Sequence, residues 1–168
     1  MIPQNTLHYF PITRITLQFE KNISHLEVSS YRYVPPLSAL GSHTDPNLGT
    51  RNTNNSCFCL KDEGFSCFKS GVFNMEPCKV TPDTPRGSPI ALSWPHFYQA
   101  DPSYLAAVSG LKPTKDKHQF YVDISPQLGI PLAIRPRLQI NAIIRKDEDI
   151  EKMRLVEYLL EVFFWPME

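Results

Sequence analysis

Four cysteines are the residues of this 168-residue chain whose type and spacing could most readily do chemistry. All four lie between Cys57 and Cys78, in the pieces CFC, SCF and PCK. A cluster of this kind is typical of either a metal site or a disulfide framework. Structural zinc sites usually show C-x-x-C pairs or two histidines a few residues apart, and neither accompanies these cysteines. The spacing therefore favours disulfides, and we expect no metal ion and no cofactor.

Two N-x-S triplets agree with an oxidising compartment, since N-glycans are added in the secretory route. Asn22 begins Asn-Ile-Ser, and Asn54 begins Asn-Asn-Ser in the polar run GTRNTNNS. The alternative for Asn54 is a solvated loop without sugar. We predict glycosylation at both asparagines.

A hydrolase is the catalytic alternative, because Ser93, His96 and Asp101 lie close together in sequence. The chain has no G-x-S-x-G elbow, and Pro95 disrupts the turn that a nucleophile would need. We predict that the protein is not an enzyme and that the ring of His96 bonds nearby backbone.

Composition narrows the possible partners. Hydrophobic residues make up 42% and charged residues 20%, which is typical of a globular chain. Lysine plus arginine equals aspartate plus glutamate, at 17 each, so no basic excess could neutralise phosphates and we expect no nucleic-acid partner. The apolar runs are shorter than the roughly 20 residues that span a bilayer, and MIPQNTLHYF lacks the features of a signal peptide.

The first half of the chain predicts a hairpin over residues 13–34. Residues 13–20 alternate apolar and polar side chains, which indicates a half-buried strand. Residues 26–34 are rich in β-branched and aromatic residues, and the KNIS piece between the two can turn the chain. Residues 37–56 hold turn formers and predict a long surface loop. In the first strand, one side is predicted to carry Ile15, Leu17 and Phe19.

The clearest local signal of the second half is a helix over residues 102–109. Asp101 is a good N-cap, Pro102 suits the first helical position, and Gly110 is a candidate left-handed C-cap. Strands are predicted in the pieces IALSW, QFYVDI, PLAI and RLQINAIIR, and turns in KPTKDKH and SPQLGIP. Short strands joined by Pro/Gly turns indicate an antiparallel sheet or barrel with short helices, a mainly β (α+β) class.

Two strand predictions concern the end of the chain. In RLQINAIIR we expect Gln139 and Asn141 to point outward. Residues 154–165 combine helix formers with period-two alternation, and we predict that they are extended. The inward side chains of RLQINAIIR are predicted to be Leu138, Ile140, Ala142 and Ile144.

Residues 57–145 resemble the class B scavenger receptor family. The matching pieces are SGVFNMEPC, then LSWPHFYQADPSYLAAVSGLKPTKDKHQFYVDISPQLGIPL, then RLQIN, in the family's order and spacing. A weaker match extends to about residue 13. Members include fatty-acid translocase, the high-density-lipoprotein receptor, a lysosomal integral membrane protein and insect sensory neuron membrane proteins.

The resemblance implies an antiparallel β-barrel-like extracellular or lumenal domain with a membrane span near each end. Neither span is present here, so the chain (1–168) is expected to be the C-terminal half of the ectodomain. Within it we expect a hairpin at 13–34, a cysteine knot region at 57–78 and barrel strands at 89–165. The family's hydrophobic tunnel binds or conducts lipids, and its candidate wall here is Phe97, Phe120, Val122, Ile140 and Ile144.

The resemblance also implies how the cysteines pair. Cys59 and Cys67 match a local bridge, whereas Cys57 and Cys78 match cysteines whose partners lie upstream. One of those partners would fall near residue 12 or 13, where this chain has no cysteine.

The leading functional interpretation is a membrane scavenger receptor of the plasma membrane, lysosome or endosome. Its expected partners are lipids, fatty acids, sterols or lipoproteins, which it would pass through the tunnel. One alternative is a lysosomal or endosomal member that acts as a trafficking receptor or lipid exporter. A second alternative is a truncated, non-functional fragment.

Overall fold

The computed structural model describes residues 15–46, 55–60, 67–78, 87–144 and 159–163. Within them the chain forms strands in two four-stranded antiparallel sheets, together with short helices. The predicted mainly antiparallel β class with short helices is therefore confirmed. The strands are β1 (Gln18–His25), β2 (Val28–Val34), β3 (Val72–Asn74), β4 (Ile90–Ser93), β5 (Tyr121–Ile124), β6 (Pro131–Arg135), β7 (Gln139–Ile144) and β8 (Leu159–Phe163), and the helices are α1 (Pro102–Ala107) and α2 (Lys115–His118).

The first sheet has the order β1-β2-β5-β6 and contains the predicted hairpin. Its turn was predicted in KNIS and lies instead at Leu26 and Glu27, whose φ angles are 46° and 69°. Two successive residues at positive φ form the tight turn whose twist matches paired strands, which is why the hairpin closes there. The polar KNIS piece is part of β1 and is mostly solvent-exposed.

The burial pattern predicted for the start of β1 holds for Ile15 and Leu17 and fails at Phe19. Leu17 is buried, while Phe19 is 50% exposed. Leu17 precedes the strand, which begins at Gln18, so strict alternation does not connect the two side chains. A register shift between Phe19 and Lys21 disturbs the alternation further.

The second sheet has the order β3-β4-β7-β8. The predicted IALSW strand is present as β4, which pairs with β3 on one side and with β7 on the other. The predicted extended state of the C-terminal segment is confirmed for β8, which pairs antiparallel with β7. The rest of the predicted range 154–165 lies outside the described residues.

Helix α1 is confirmed but ends two residues early. The side chain of Asp101 accepts a 2.9 Å hydrogen bond from the Ser103 backbone N–H, as an N-cap should. Val108 is already extended, with φ −130° and ψ 121°, so Gly110 (φ 92°) lies in the following turn. The KPTKDKH piece, predicted as a turn, contains the single helical turn α2.

The core consists of two apolar clusters. The first is built on Leu40, Phe58, Phe73, Met75 and Trp94, and the second on Val72, Ala91 and Phe97. The prediction of a surface loop over 37–56 is wrong at its beginning, because residues 37–40 form a short 3-10 helix that buries Leu40. Residues 47–54 lie outside the described residues.

Candidate functional site

The two faces of the second sheet differ in chemistry. Strand register places Phe73 opposite Leu92, and Leu92 opposite Ile140, so these side chains share one face, called here the apolar face. Ile90 and Ala142 are opposite each other and belong to the same face. The other face, called here the polar face, includes Ser93, Gln139 and Asn141.

The polar face is buried along both β4 and β7. Ser93, Gln139 and Asn141 are at most 2% exposed. Asn141 Nδ2 donates to Ser93 Oγ (3.1 Å) and to the carbonyl of Ala91 (3.3 Å), and its Oδ1 accepts from Gln139 Nε2 (2.6 Å). Gln139 Oε1 accepts a 2.8 Å bond from the His96 backbone N–H. Buried amides are tolerated because each of these groups has a partner.

A tight turn over residues 94–100 helps to cover this polar face. Phe97, 2% exposed, packs with Val72 and Ala91, and the ring of Tyr104 in α1 stacks on it at 5.4 Å. Burial raises the pKa of Tyr104 to about 12, only partly opposed by a hydrogen bond to the Lys69 carbonyl. The turn and α1 thus form an aromatic lid over the amide network.

The apolar face is covered at β3, where Phe73 belongs to the first core cluster, and is more open at β7. Ile140, near its centre, is 48% exposed, and Ile90, Leu92 and Ala142 are half-buried. The predicted orientation of β7 is therefore wrong for Ile140, Gln139 and Asn141. The side chains at the start of β7 do alternate, but the lid covers the polar side of the strand, so the usual placement of apolar side chains inward is inverted there.

The candidate tunnel residues do not come together in one place. Ile140 and Ile144 share the apolar face of β7, four residues apart. Phe120 lies near it, against Trp94 with ring centroids 6.1 Å apart, in the first core cluster. Phe97 belongs to the lid on the opposite face. Val122, 2% exposed, lies in the first sheet.

The cysteine region contains one bridge in the described part of the chain. A disulfide joins Cys59 to Cys67, the pair that the family resemblance implies, with Cα atoms 4.3 Å apart. Cys57 is exposed, and Cys78 ends a short 3-10 helix, Glu76–Cys78. Among the described residues, no group of three or more His, Cys, Asp or Glu side chains is arranged to hold a metal ion.

The candidate glycosylation sites fall in different regions. Asn22 lies within β1 and is exposed, so its side-chain amide faces solvent. Asn54 lies outside the described residues. An exposed asparagine on a strand is accessible to a glycan without displacing core side chains.

Sequence reasoning missed a buried ionic cluster in the first sheet. Asp123 is fully buried, accepts from Arg32 Nε at 2.7 Å and Nη2 at 2.8 Å, and lies 2.9 Å from His25 Nε2. Arg32 also stacks on the Tyr121 ring, 3.7 Å from its centroid. Burial by itself would raise the pKa of Asp123, but the hydrogen bonds from Arg32 and His25 outweigh it and lower that pKa. The register of Arg32 opposite Asp123 creates the pair, and no sequence pattern revealed that pairing.

A second missed feature is a pair of histidines between the lid and α2. The rings of His96 and His118 have centroids 4.5 Å apart. His96 Nδ1 accepts from the Lys112 backbone N–H at 3.4 Å, in line with the expectation that its ring bonds nearby backbone. The spacing of 22 residues between the two carries no local signal.

Known proteins resemble the chain over most of its length. The CD36 family profile matches residues 5–166. Lysosome membrane protein 2 of Mus musculus is 38% identical over 125 residues, which cover 74% of this chain and 24% of that protein. Scavenger receptor class B member 1 of Cricetulus griseus is 31% identical over 170 residues, 98% of this chain and 30% of that protein. Protein peste of Drosophila melanogaster is 32% identical over 127 residues, which cover 76% of this chain and 20% of that protein.

The chain spans less than a third of the length of these relatives. Within its described residues, no helix has the length and apolar character needed to cross a bilayer. The family profile covers nearly all of the sequence, including the segments that hold the motifs SGVFNMEPC, WPHFYQADP and RLQIN. This chain belongs to the CD36 family.

Proposed function

We propose that the chain is part of the extracellular or lumenal domain of a non-catalytic membrane receptor that binds lipids along the apolar face of its second sheet. One observation carries the proposal: β7 buries Gln139 and Asn141 and leaves Ile140 about half exposed. A sheet that packs on an ordinary core does the reverse. An accessible apolar strand face is the arrangement that an acyl chain or a sterol requires.

The energetics favour such a face for lipid transfer. Each methylene of an acyl chain that leaves water gains about 0.8 kcal/mol, so contact with the exposed Ile140 and its half-buried neighbour Leu92 lowers the cost of moving the chain through water. The described site needs no reacting group for this task. Fatty acids, sterols and the lipids of lipoproteins all present the required apolar surface.

The names of the relatives support the receptor role and the location. One relative is a scavenger receptor and another a lysosome membrane protein. The Cys59–Cys67 disulfide fits an oxidising extracellular or lumenal compartment. The plasma membrane, the lysosome and the endosome are the proposed sites of action.

A second candidate function is a lysosomal or endosomal receptor that sorts cargo or exports lipid. It is favoured by the 38% identity to Lysosome membrane protein 2 of Mus musculus, compared with 31% to Scavenger receptor class B member 1 of Cricetulus griseus. Staining of the tagged full-length protein beside lysosomal and plasma-membrane markers distinguishes the two. A predominantly surface distribution contradicts the lysosomal candidate.

Lipid binding is tested with a photoactivatable long-chain fatty acid and the purified full-length protein. The test variant is Ile140→Gln, and the matched control is Ile134→Gln in β6 of the first sheet, because Ile134 is also a strand isoleucine, 46% exposed. We expect Ile140→Gln to lower the affinity roughly fivefold, about 1 kcal/mol of lost apolar contact. The control should bind as the wild type does.

Mass-spectrometric mapping of the crosslinks gives the second readout. Crosslinks are expected at residues of β4 and β7 on the apolar face. Equal binding by the two variants, or crosslinks confined to the first sheet, would contradict the proposal. Thermal melts of both variants show whether a loss of binding is a loss of folding.

A further inference from the structure

The histidine pair joins two segments that are distant in sequence. His96 lies in the lid turn over residues 94–100, and His118 is the last residue of α2. Their ring planes are inclined by 37° at a centroid distance of 4.5 Å, and His118 is only 8% exposed. The contact holds residues 112–119 against the lid.

Hydrogen bonding indicates that the His118 ring is neutral. His118 Nδ1 accepts a 2.8 Å bond from the Thr114 backbone N–H, and His96 Nδ1 accepts from the Lys112 backbone N–H. A nitrogen that accepts cannot carry a proton, so the proton of His118 is placed on Nε2. The Thr114 carbonyl is 3.1 Å from the same Nδ1 and could accept from a protonated ring, but the shorter bond to the N–H would then be lost.

Burial and the surrounding charges oppose the addition of a second proton to the His118 ring. Burial lowers the pKa of His118 below its usual value of 6.5, and the nearby His96, Arg137 and Lys117 lower it further against the raising effect of Thr114. Arg137 is anchored beside α2, since its Nη1 donates to the carbonyls of Asp116 (2.7 Å) and Gln119 (3.1 Å). Asp116 of the same helix is exposed.

The lid turn itself is strained. His96, Phe97 and Gln99 have φ angles of 54°, 53° and 59°, in the left-handed region that costs non-glycine residues of order 1 kcal/mol or more each. The turn keeps this shape because Phe97 is buried and because Gln139 accepts the His96 N–H. A segment held by few contacts against backbone strain can release when one contact is lost.

We propose that the His96–His118 pair is an acid-sensitive latch. Near neutral pH the neutral His118 ring, packed on His96, fastens residues 112–119 to the lid, and protonation of His118 in an acidic compartment separates the two rings and frees that segment. The lid turn and α2 also line one cleft, through Tyr98 and Gln99 on one side and Lys115 and Gln119 on the other, so opening changes the shape of that cleft.

The sign of the pH effect follows from the depressed pKa. The open form takes up a proton near the ordinary value of 6.5, while the closed form resists it to a lower pH. The latch is therefore strongest above pH 6.5 and weakens as the pH falls from there to the pKa of the closed form. Within that window the ratio of closed to open molecules falls about tenfold for each pH unit.

Hydrogen exchange of the purified full-length protein, corrected for intrinsic exchange rates, tests the latch. Protection of the Lys112 and Thr114 amides should fall about tenfold per pH unit within the window. The variant His118→Asn places an amide oxygen close to the position of Nδ1 and cannot titrate, so it should abolish this dependence. The control His25→Asn, in the first sheet, removes a hydrogen bond to Asp123 but no contact of the latch, so it should retain the dependence.

Long-range ¹⁵N NMR of the wild-type histidines gives an answer that does not depend on any variant folding. His118 should carry its proton on Nε2 at pH 7.5 and titrate below 6.5. A proton on Nδ1 at pH 7.5 would overturn the proposal. Unchanged protection of residues 112–119 between pH 7.5 and 5, or a wild-type pH dependence in His118→Asn, would also overturn it.

Discussion

Replacing Gly71 by alanine should destabilise the protein by displacing the lid from the polar face. Gly71 has φ 96°, and a Cβ built on it would lie 2.2 Å from both Cα and Cβ of Ala100. The two segments cannot easily separate, because the Asp101 N–H donates to the Ser70 carbonyl at 2.9 Å. On the other side, the Gly71 N–H donates to the Leu40 carbonyl at 2.7 Å.

The loss of stability expected for Gly71→Ala has two parts. Left-handed backbone costs an alanine about 1–2 kcal/mol, and forcing an extra carbon into a filled contact costs about 1–3 kcal/mol. Together, Gly71→Ala should lower the free energy of unfolding by about 2–5 kcal/mol. Gly110 isolates the first part, since it has φ 92° and nothing described lies within 4 Å of its added Cβ. Gly110→Ala should therefore cost only about 1–2 kcal/mol.

Urea unfolding of the purified protein, followed by fluorescence, measures the two variants side by side. The unfolding midpoint of Gly71→Ala should fall further than that of Gly110→Ala, with similar m-values if compactness is unchanged. Equal losses in the two variants would mean that the contact with Ala100 yields at no cost. That result would refute the conclusion that the lid requires a glycine at position 71.

Three further predictions concern other parts of the chain. Asp123→Asn should destabilise the protein by about 3 kcal/mol, because it leaves Arg32 without its buried partner. In the wild type, Asp123 contributes its full stability at pH values above its usual pKa of 3.8. That stability should be lost as the pH falls through the lowered pKa of Asp123 in the folded protein. Acid unfolding curves of the wild type and the variant measure this difference. Non-reducing peptide mapping should recover Cys59 bonded to Cys67, and either cysteine as a free thiol would contradict that bridge. Glycosidase treatment should release a glycan at Asn22, and an unmodified peptide from the secretory route would exclude the site.

Local signals explain what the sequence predicted well. Asp101 followed by Pro102 places the start of α1, because cap and proline act within one turn of backbone. The alternation at the C-terminus predicted β8 in spite of the helix propensity of the same residues. The prediction holds because pairing with the neighbouring strand β7 decides the conformation. The hairpin was found for the same reason, although its turn depends on positive φ at Leu26, which no residue type there reveals.

Features created by distant contacts were not predictable in this way. The pairing of Arg32 with Asp123 follows from the register of β2 on β5, ninety-one residues apart. The meeting of His96 with His118 requires both the lid and α2 to be in place. Period-two alternation reports that a strand has two different faces, but it does not report which face another element will cover.

Strand β7 shows what that missing information means for function. Its sequence alternates as well as any strand here, and an ordinary domain would have turned Ile140 inward and Gln139 outward. Burying Gln139 and Asn141 instead is tolerable only because Ser93, Ala91 and the lid backbone supply partners for their amides. On the apolar face Phe73 and Leu92 pack in the first core cluster, so the exposed apolar surface of that face is concentrated at Ile140 of β7. Ile140, exposed between two buried amides, is therefore the position at which the proposed lipid binding is tested most directly.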